Sequence, residues 1–173
     1  DLMETGVWRG GATVLMRGAL AAWGDDDRSV WVADSFRGLP PPDAEAWPAD
    51  KGVDLSGVET LAVSRAEGEA SFARYGLLDS QVRFLEGWFA DTLPTAPIGR
   101  LALLRLDGDL YQSTWEALEN LYPKLSVGGI LIVDDYGAFE PCRRAVEDYR
   151  IKYEISDEVI PVDWTGIWWQ RTR

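Results

Sequence analysis

The chain has 173 residues, with 17 Lys and Arg against 29 Asp and Glu and a formal net charge of -12, so the length fits one domain and the charge disfavours nucleic acid or an anionic membrane as partner. It contains no histidine and a single cysteine, Cys142, which excludes imidazole triads, zinc sites and internal disulfides. Proton transfer must fall to carboxylates, Tyr or Lys, and with no cleavable leader and no apolar run of spanning length the expected compartment is cytoplasmic.

The chain starts at Asp1 and runs at once into an apolar segment, so an upstream portion is expected. Short apolar runs then alternate with helical patterns, the signature of strand-helix-strand units stacked around a parallel sheet. The first strand is Leu2 to Thr5. A helix from Gly11 to Trp23 follows, with Val14, Leu15, Ala19, Leu20 and Ala22 at helical spacing. Strand Val30 to Asp34 leads into Gly38 to Gly57, a stretch rich in Pro, Asp, Ala and Gly without periodicity, which reads as a mobile lid loop over a substrate. A helix at Ser64 to Tyr75 precedes strands Val82 to Glu86 and Leu101 to Asp107. The next helix is Ser113 to Leu125, with Pro123, Gly128 and Gly129 as its stop before strand Ile130 to Asp134. Helix Pro141 to Tyr153 and strands Val159 to Asp163 and Ile167 to Arg171 complete the chain. Only Trp164, Thr165 and Gly166 separate those last strands, so they form an antiparallel hairpin. The expected fold is α/β, a Rossmann-like sheet that is mostly parallel and closes with an antiparallel hairpin.

Three places carry chemistry. After the first strand, Gly6, Gly10 and Gly11 lead into a helix, where a ligand can approach the backbone. The spacing is not that of a dinucleotide fingerprint, and a tight structural turn is the alternative. The second strand ends on Asp34, placed to accept hydrogen bonds from ribose hydroxyls, with a cap or turn role as the alternative. The strongest signal is four carboxylates at two strand tips. Asp107 and Asp109 follow one apolar strand, whose one charge is Arg105, and Asp134 and Asp135 follow another. Neighbouring strands would bring Asp107, Asp134 and Asp135 to one point, where mutual repulsion calls for a hard divalent ion, expected to be Mg. Asp109 would then be free to act as general base, ahead of Tyr111, whose ordinary pKa is about 10. Gly87, Trp88 and Phe89 follow the third strand and can stack on a purine or simply belong to the core. Arg143 and Arg144 can neutralise a substrate or lie on an exposed helix face.

Several long motifs in order, among them DLMETGVWRGGA, VWVADSF, FARYGLLD, LRLDGDLYQSTW, NLYPKLS, VDDYG and the terminal WWQRTR, make the chain resemble the macrocin O-methyltransferase family of antibiotic-sugar methyltransferases, and within it the noviose O-methyltransferases of aminocoumarin biosynthesis. The resemblance implies a class I methyltransferase fold, a single domain over residues 1–173, S-adenosylmethionine and Mg as cofactors, and a hydroxyl of a deoxysugar on a macrolide or aminocoumarin as acceptor. It implies Asp107, Asp134 and Asp135 as metal ligands and Asp109 as base. Glu4, Thr5 and Gly6 would line the methionine part of the cofactor, Asp34 would bind the ribose, and Ser35, Gly87 and Trp88 would lie near the adenosine. A glycosylated small molecule is the implied partner, with a homo-oligomer possible. Two rival readings remain at this point. An aspartyl-nucleophile phosphatase would also use paired acids and Mg, but needs a placed lysine, and Lys124 is the only one between the two acid pairs. A non-catalytic adenosyl-binding module would bind the cofactor without turnover.

Overall fold

A computed structural model describes residues 1–173. Five apolar runs pair as parallel strands, β1 (Leu2–Thr5), β2 (Val30–Asp34), β3 (Val82–Glu86), β4 (Leu101–Leu106) and β5 (Leu125–Val133). Two further strands, β6 (Ile160–Pro161) and β7 (Ile167–Gln170), pair antiparallel, and β7 also runs antiparallel to β5. The sheet order is β3-β2-β1-β4-β5-β7-β6. Connections leave β1 in one direction towards β2 and return to β4 on its other side, and ligands of such sheets bind outside the carboxyl ends at this reversal.

Helices cover both faces: α1 (Gly11–Trp23), α2 (Arg65–Arg74), α3 (Phe89–Thr92), α4 (Tyr111–Leu121) and α5 (Glu140–Lys152). Burial on both faces is why the parallel strands read as apolar runs rather than as alternating ones. On one face Met16 and Leu20 of α1 and Phe72 of α2 pack with Val30, Val32 and Val82. On the other, Leu118 and Leu121 of α4 and Val146 and Tyr149 of α5 pack with Leu104, Leu106, Leu131 and Trp169. Ser64 starts α2 through a reciprocal capping box with Glu67, the motif that satisfies two free donors at once.

The expected order of elements is observed, with local differences. Gly128 and Gly129 do not stop a helix; they lie inside β5, which starts at Leu125. There the pairing with β4 shifts, Leu101 facing Leu125 while Leu103 faces Ile130. A side chain at Gly129 would meet Leu125 and Ser126 at 2.8 Å, so glycine lets the bulged strand turn back on itself. Helix α4 starts two residues early, at Tyr111, and ends at Leu121. The short α3 between β3 and β4 has no apolar periodicity to announce it, and β6 keeps only two residues of the expected Val159 to Asp163. No helix is long and apolar enough to cross a membrane.

Candidate active site

Sheet register sets the site. Glu4 of β1 lies opposite Arg105 of β4, and one step beyond the paired residues the Asp107 amide donates to the Thr5 carbonyl and the Asp134 amide to the Leu106 carbonyl, each at 2.9 Å. Asp107 and Asp134 therefore leave neighbouring strands side by side. Gly6 continues β1 with φ +77, and a Cβ there would lie 1.7 Å from the Asp107 carbonyl oxygen. The glycine is needed first by the protein itself, because only hydrogen fits between the two strand ends.

Single carboxylate oxygens of Asp107, Asp134 and Asp135 all lie within 4.8 Å of one another. The cation already beside them is one that a strand-by-strand reading does not reveal. The Arg105 guanidinium bonds Glu4, reaches Asp107 at 2.6 Å, and reaches Asp134 at 2.6 Å. Arg105 thus compensates part of the acid cluster, a role sequence spacing missed although a lone charge in an apolar strand was the visible signal. One guanidinium contacts three carboxyls, and Asp109 and Asp135 lie outside its reach. Burial pushes Glu4 up to about 8, against the pull of Arg105, and its Oε2 has no hydrogen-bond partner. Burial followed by Asp107 and Asp109 raises Asp135, and burial followed by Asp107 and Asp134 pushes Asp109 up to about 6. Three carboxylates close to one point and the all-oxygen donor set fit a hard divalent ion at Asp107, Asp134 and Asp135.

Asp109 has a left-handed backbone, φ 59, which Asp tolerates better than most residues. Its amide donates to Asp135 Oδ2 at 3.1 Å, so the residue is tied to the acid cluster while its own side chain opens elsewhere. That opening is a cavity of about 420 Å³ at the carboxyl ends of β1, β2, β3 and β4, whose walls include Asp107 and Asp109. The other charged residues on its walls are Asp34, Asp43, Asp91 and Glu116; no Lys or Arg lines it. Such a wall disfavours a pyrophosphate-bearing dinucleotide and suits a ligand that carries positive charge.

Gly6, Asp34, Ser35, Gly87 and Trp88 also line this cavity. Glu4 and Thr5 do not reach it; at 2 % and 1 % exposed they lie buried behind the glycine turn. Asp134 and Asp135 stand beside the cavity rather than on its wall. Asp34 has a structural duty as well as a position: its Oδ2 accepts from the Val7 amide and its Oδ1 from the Phe36 amide, both at 2.7 Å. Each oxygen keeps a second acceptor direction for a ligand hydroxyl. The Ser35 hydroxyl donates to the Gly38 carbonyl at 2.6 Å and accepts from the Arg37 amide, which shapes the entry to the lid segment.

Residues 38–61 cover the cavity with Gly38, Leu39, Pro40, Pro41, Asp43 and Leu61. The segment makes specific contacts with the elements beneath it. Trp8 Nε1 donates to the Thr60 carbonyl at 2.8 Å, Trp47 packs against Tyr111 at 5.9 Å between ring centres, and Asp50 is 1 % exposed. Tyr111 is a poor base, since burial and a hydrogen bond donated to Asp148 push it up to about 12. Arg143 and Arg144 pair with Glu140 and Asp148 on the outer face of α5. Lys124 donates to the Ala96 carbonyl near the start of β5, at the opposite end of the strand from Asp134, which leaves the phosphatase reading without its lysine.

A family model of the macrocin O-methyltransferases (TylF) matches residues 1–171. The chain belongs to the macrocin O-methyltransferase (TylF) family. It is 58% identical over 174 residues to the demethyldecarbamoylnovobiocin O-methyltransferase of Streptomyces niveus, covering 100% of this chain and 66% of that protein. It is 57% identical over 175 residues to the 8-demethyl-8-(2,3-dimethoxy-alpha-L-rhamnosyl)-tetracenomycin-C 4'-O-methyltransferase of Streptomyces olivaceus, covering 99% and 66%. The chain thus spans about two thirds of the length of these curated relatives. The solved structure of the O-methyltransferase NovP superposes with a TM-score of 0.98 at 58% identity, over 100% of this chain and 72% of that one. Sheet order and this likeness together make the fold that of the class I O-methyltransferases.

Proposed function

We propose that this TylF-family protein transfers the methyl group of S-adenosylmethionine to a hydroxyl of a deoxysugar carried by a natural product, and that Mg is its metal. The observation that carries the reading is one cavity onto which Asp107 and Asp109 both open, walled by carboxylates and free of Lys and Arg. A sulfonium cofactor brings the positive charge such a wall favours, and the hydroxyl acceptor needs a base at its other side. The rhamnosyl group in the name of the tetracenomycin relative supports a sugar acceptor.

In this reading residues 1–173 act as one methyltransferase domain with 38–57 as its lid. Asp34 and Ser35 at the end of β2, with Gly87 and Trp88 after β3, hold the adenosine side of the cofactor, and Gly6 borders its methionine side. Glu4 and Thr5 act from behind, as the buried support of the Gly6 turn. Asp107, Asp134 and Asp135 hold the metal, with Arg105 fixing the oxygens of Asp107 and Asp134 that face the sheet. When bound, S-adenosylmethionine supplies an electrophilic methyl group and the divalent ion supplies Lewis acidity that makes a sugar hydroxyl easier to deprotonate. Asp109 would accept the hydroxyl proton on its carboxylate. Burial raises its carboxyl pKa, and an ion held at Asp107, Asp134 and Asp135 would offset the part contributed by Asp107 and Asp134. The cover formed by residues 38–61 excludes water, which would otherwise weaken every electrostatic contact inside.

Calorimetry with S-adenosylhomocysteine, with and without Mg, followed by assays on glycosylated coumarins, macrolides and tetracenomycins lacking one sugar methyl group, tests the reading. Methyl transfer that excess chelator abolishes and Mg restores is expected. Failure to bind S-adenosylhomocysteine would overturn the cofactor assignment, binding without turnover would favour the adenosyl-binding module, and full activity in chelator would overturn the metal.

A further inference from the structure

Helix α4 starts at Tyr111, and its N-cap, Leu110, has no side chain that can accept a hydrogen bond. The first amides of a helix have no partner within it. Here the partner comes from the lid. Asp50, sixty-one positions away, accepts the Tyr111 amide on Oδ1 at 2.6 Å and the Gln112 amide on Oδ2 at 3.0 Å. The carboxylate is 1 % exposed, and it sits where a helix favours negative charge. Next to it Trp47 packs on Tyr111, whose ring stacks on Trp115 at 5.9 Å with the planes 6° apart.

The amides that Asp50 holds lie two and three residues after Asp109, and Gln112 lines the same cavity as Asp109. Asp109 is in a left-handed conformation, tethered on its own amide by Asp135. The short turn from Asp107 to Gln112 is therefore clamped at two points, Asp135 on the sheet side and Asp50 on the lid side. A strained turn stays in place only when its surroundings over-determine it. We infer that Asp50 is a positioning residue, a latch by which closure of the lid over the cavity sets the place of Asp109. The inference deepens the methyltransferase reading and rests on it for its kinetic consequence, while the latch itself rests on the hydrogen bonds that Asp50 accepts from Tyr111 and Gln112.

The test is amide hydrogen exchange combined with steady-state kinetics on the full chain, for wild type, Asp50→Ala and Asp50→Asn. Tyr111 and Gln112 are the reporters, because Asp50 is the acceptor their amides use. In Asp50→Ala their exchange should quicken by about tenfold or more, the scale of a lost helix cap, while protection of Leu118 in the same helix stays near wild type. Turnover should fall by about tenfold or more, as expected when a catalytic group is misplaced, with the acceptor KM changing less than kcat. Asp50→Asn keeps one acceptor oxygen and should recover part of both effects. Unchanged exchange at Tyr111 and Gln112, or equal loss of protection along all of α4, would overturn the latch. Faster exchange with kcat within twofold of wild type would overturn the positioning of Asp109. If wild type transfers no methyl group, the kinetic consequence falls with the proposed function, and exchange still decides the latch.

Discussion

Arg105 and Asp134 meet at 2.6 Å, Nη2 to Oδ1, across the boundary between β4 and β5. The same guanidinium holds Glu4 and Asp107 through Nη1, so one residue links three adjacent strands at the point where the acid cluster leaves the sheet. Glu4 is almost fully buried and depends on this contact. Arg105→Met should destabilise the protein by about 3 kcal/mol in urea denaturation at pH 7, at the low end for breaking a buried pair because burial already favours the neutral form of Glu4 there. Adding Glu4→Leu should recover most of the loss. A change below about 1 kcal/mol in the single variant would mean that the network contributes little.

Gly6→Ala and Gly11→Ala should behave oppositely although both glycines belong to one motif. A methyl group at Gly6 collides with the Asp107 carbonyl, while nothing lies within 4 Å of one at Gly11. The first substitution should cost about 3 kcal/mol or more, and the second should be neutral or slightly stabilising at the start of a helix. Thermal denaturation of the two variants checks this. Equal stabilities would show that the strand ends can separate freely.

Asp34 has two duties that substitution can separate. Asp34→Ala removes the acceptors for the Val7 and Phe36 amides as well as the charge, and should weaken S-adenosylhomocysteine binding by about 1.5 to 3 kcal/mol while lowering the melting temperature. Asp34→Asn keeps one acceptor oxygen and should retain more stability than affinity. Calorimetry that found affinity unchanged in both variants would leave Asp34 as a turn residue only.

The Arg17–Asp79 pair gives a pH dependence remote from the cavity. Arg17 is buried, Asp79 is partly exposed, and the two meet at 2.5 Å. The hydrogen bond from Arg17 holds the Asp79 carboxyl below its usual range. A carboxylate whose pKa is lower folded than unfolded stabilises the protein above the unfolded value of about 3.9 and loses that contribution as pH falls through the folded value. The melting temperature of Arg17→Met should therefore lie below that of wild type at pH 7, with the gap narrowing as pH drops below 4. A gap independent of pH would assign the effect to packing of the arginine stem alone.

The fold was legible in the sequence because most of the parallel strands carry a short apolar run that ends at a glycine or an acid. Gly128 and Gly129 misled because a bulge and a helix stop use the same residue, and only the pairing of Leu103 with Ile130 tells them apart. Asp107, Asp109, Asp134 and Asp135 could be read from their places at two strand ends, since β4 and β5 are neighbours. Arg105 and Asp50 could not be assigned roles. Arg105 acts across three strands, and Asp50 acts on a helix sixty-one residues away, so neither contact follows from local spacing.

The most direct test is a Mg titration of methyl-transfer turnover in Asp109→Asn beside Asp107→Asn. Asp109→Asn keeps the shape and loses the base, so turnover should stay about 100-fold to 10,000-fold below wild type at every Mg concentration. Asp107→Asn removes charge from the ion site, so its rate should recover in part as Mg rises. Rescue of Asp109→Asn by Mg together with no rescue of Asp107→Asn would reverse the two roles, and wild-type turnover in both variants would contradict the account.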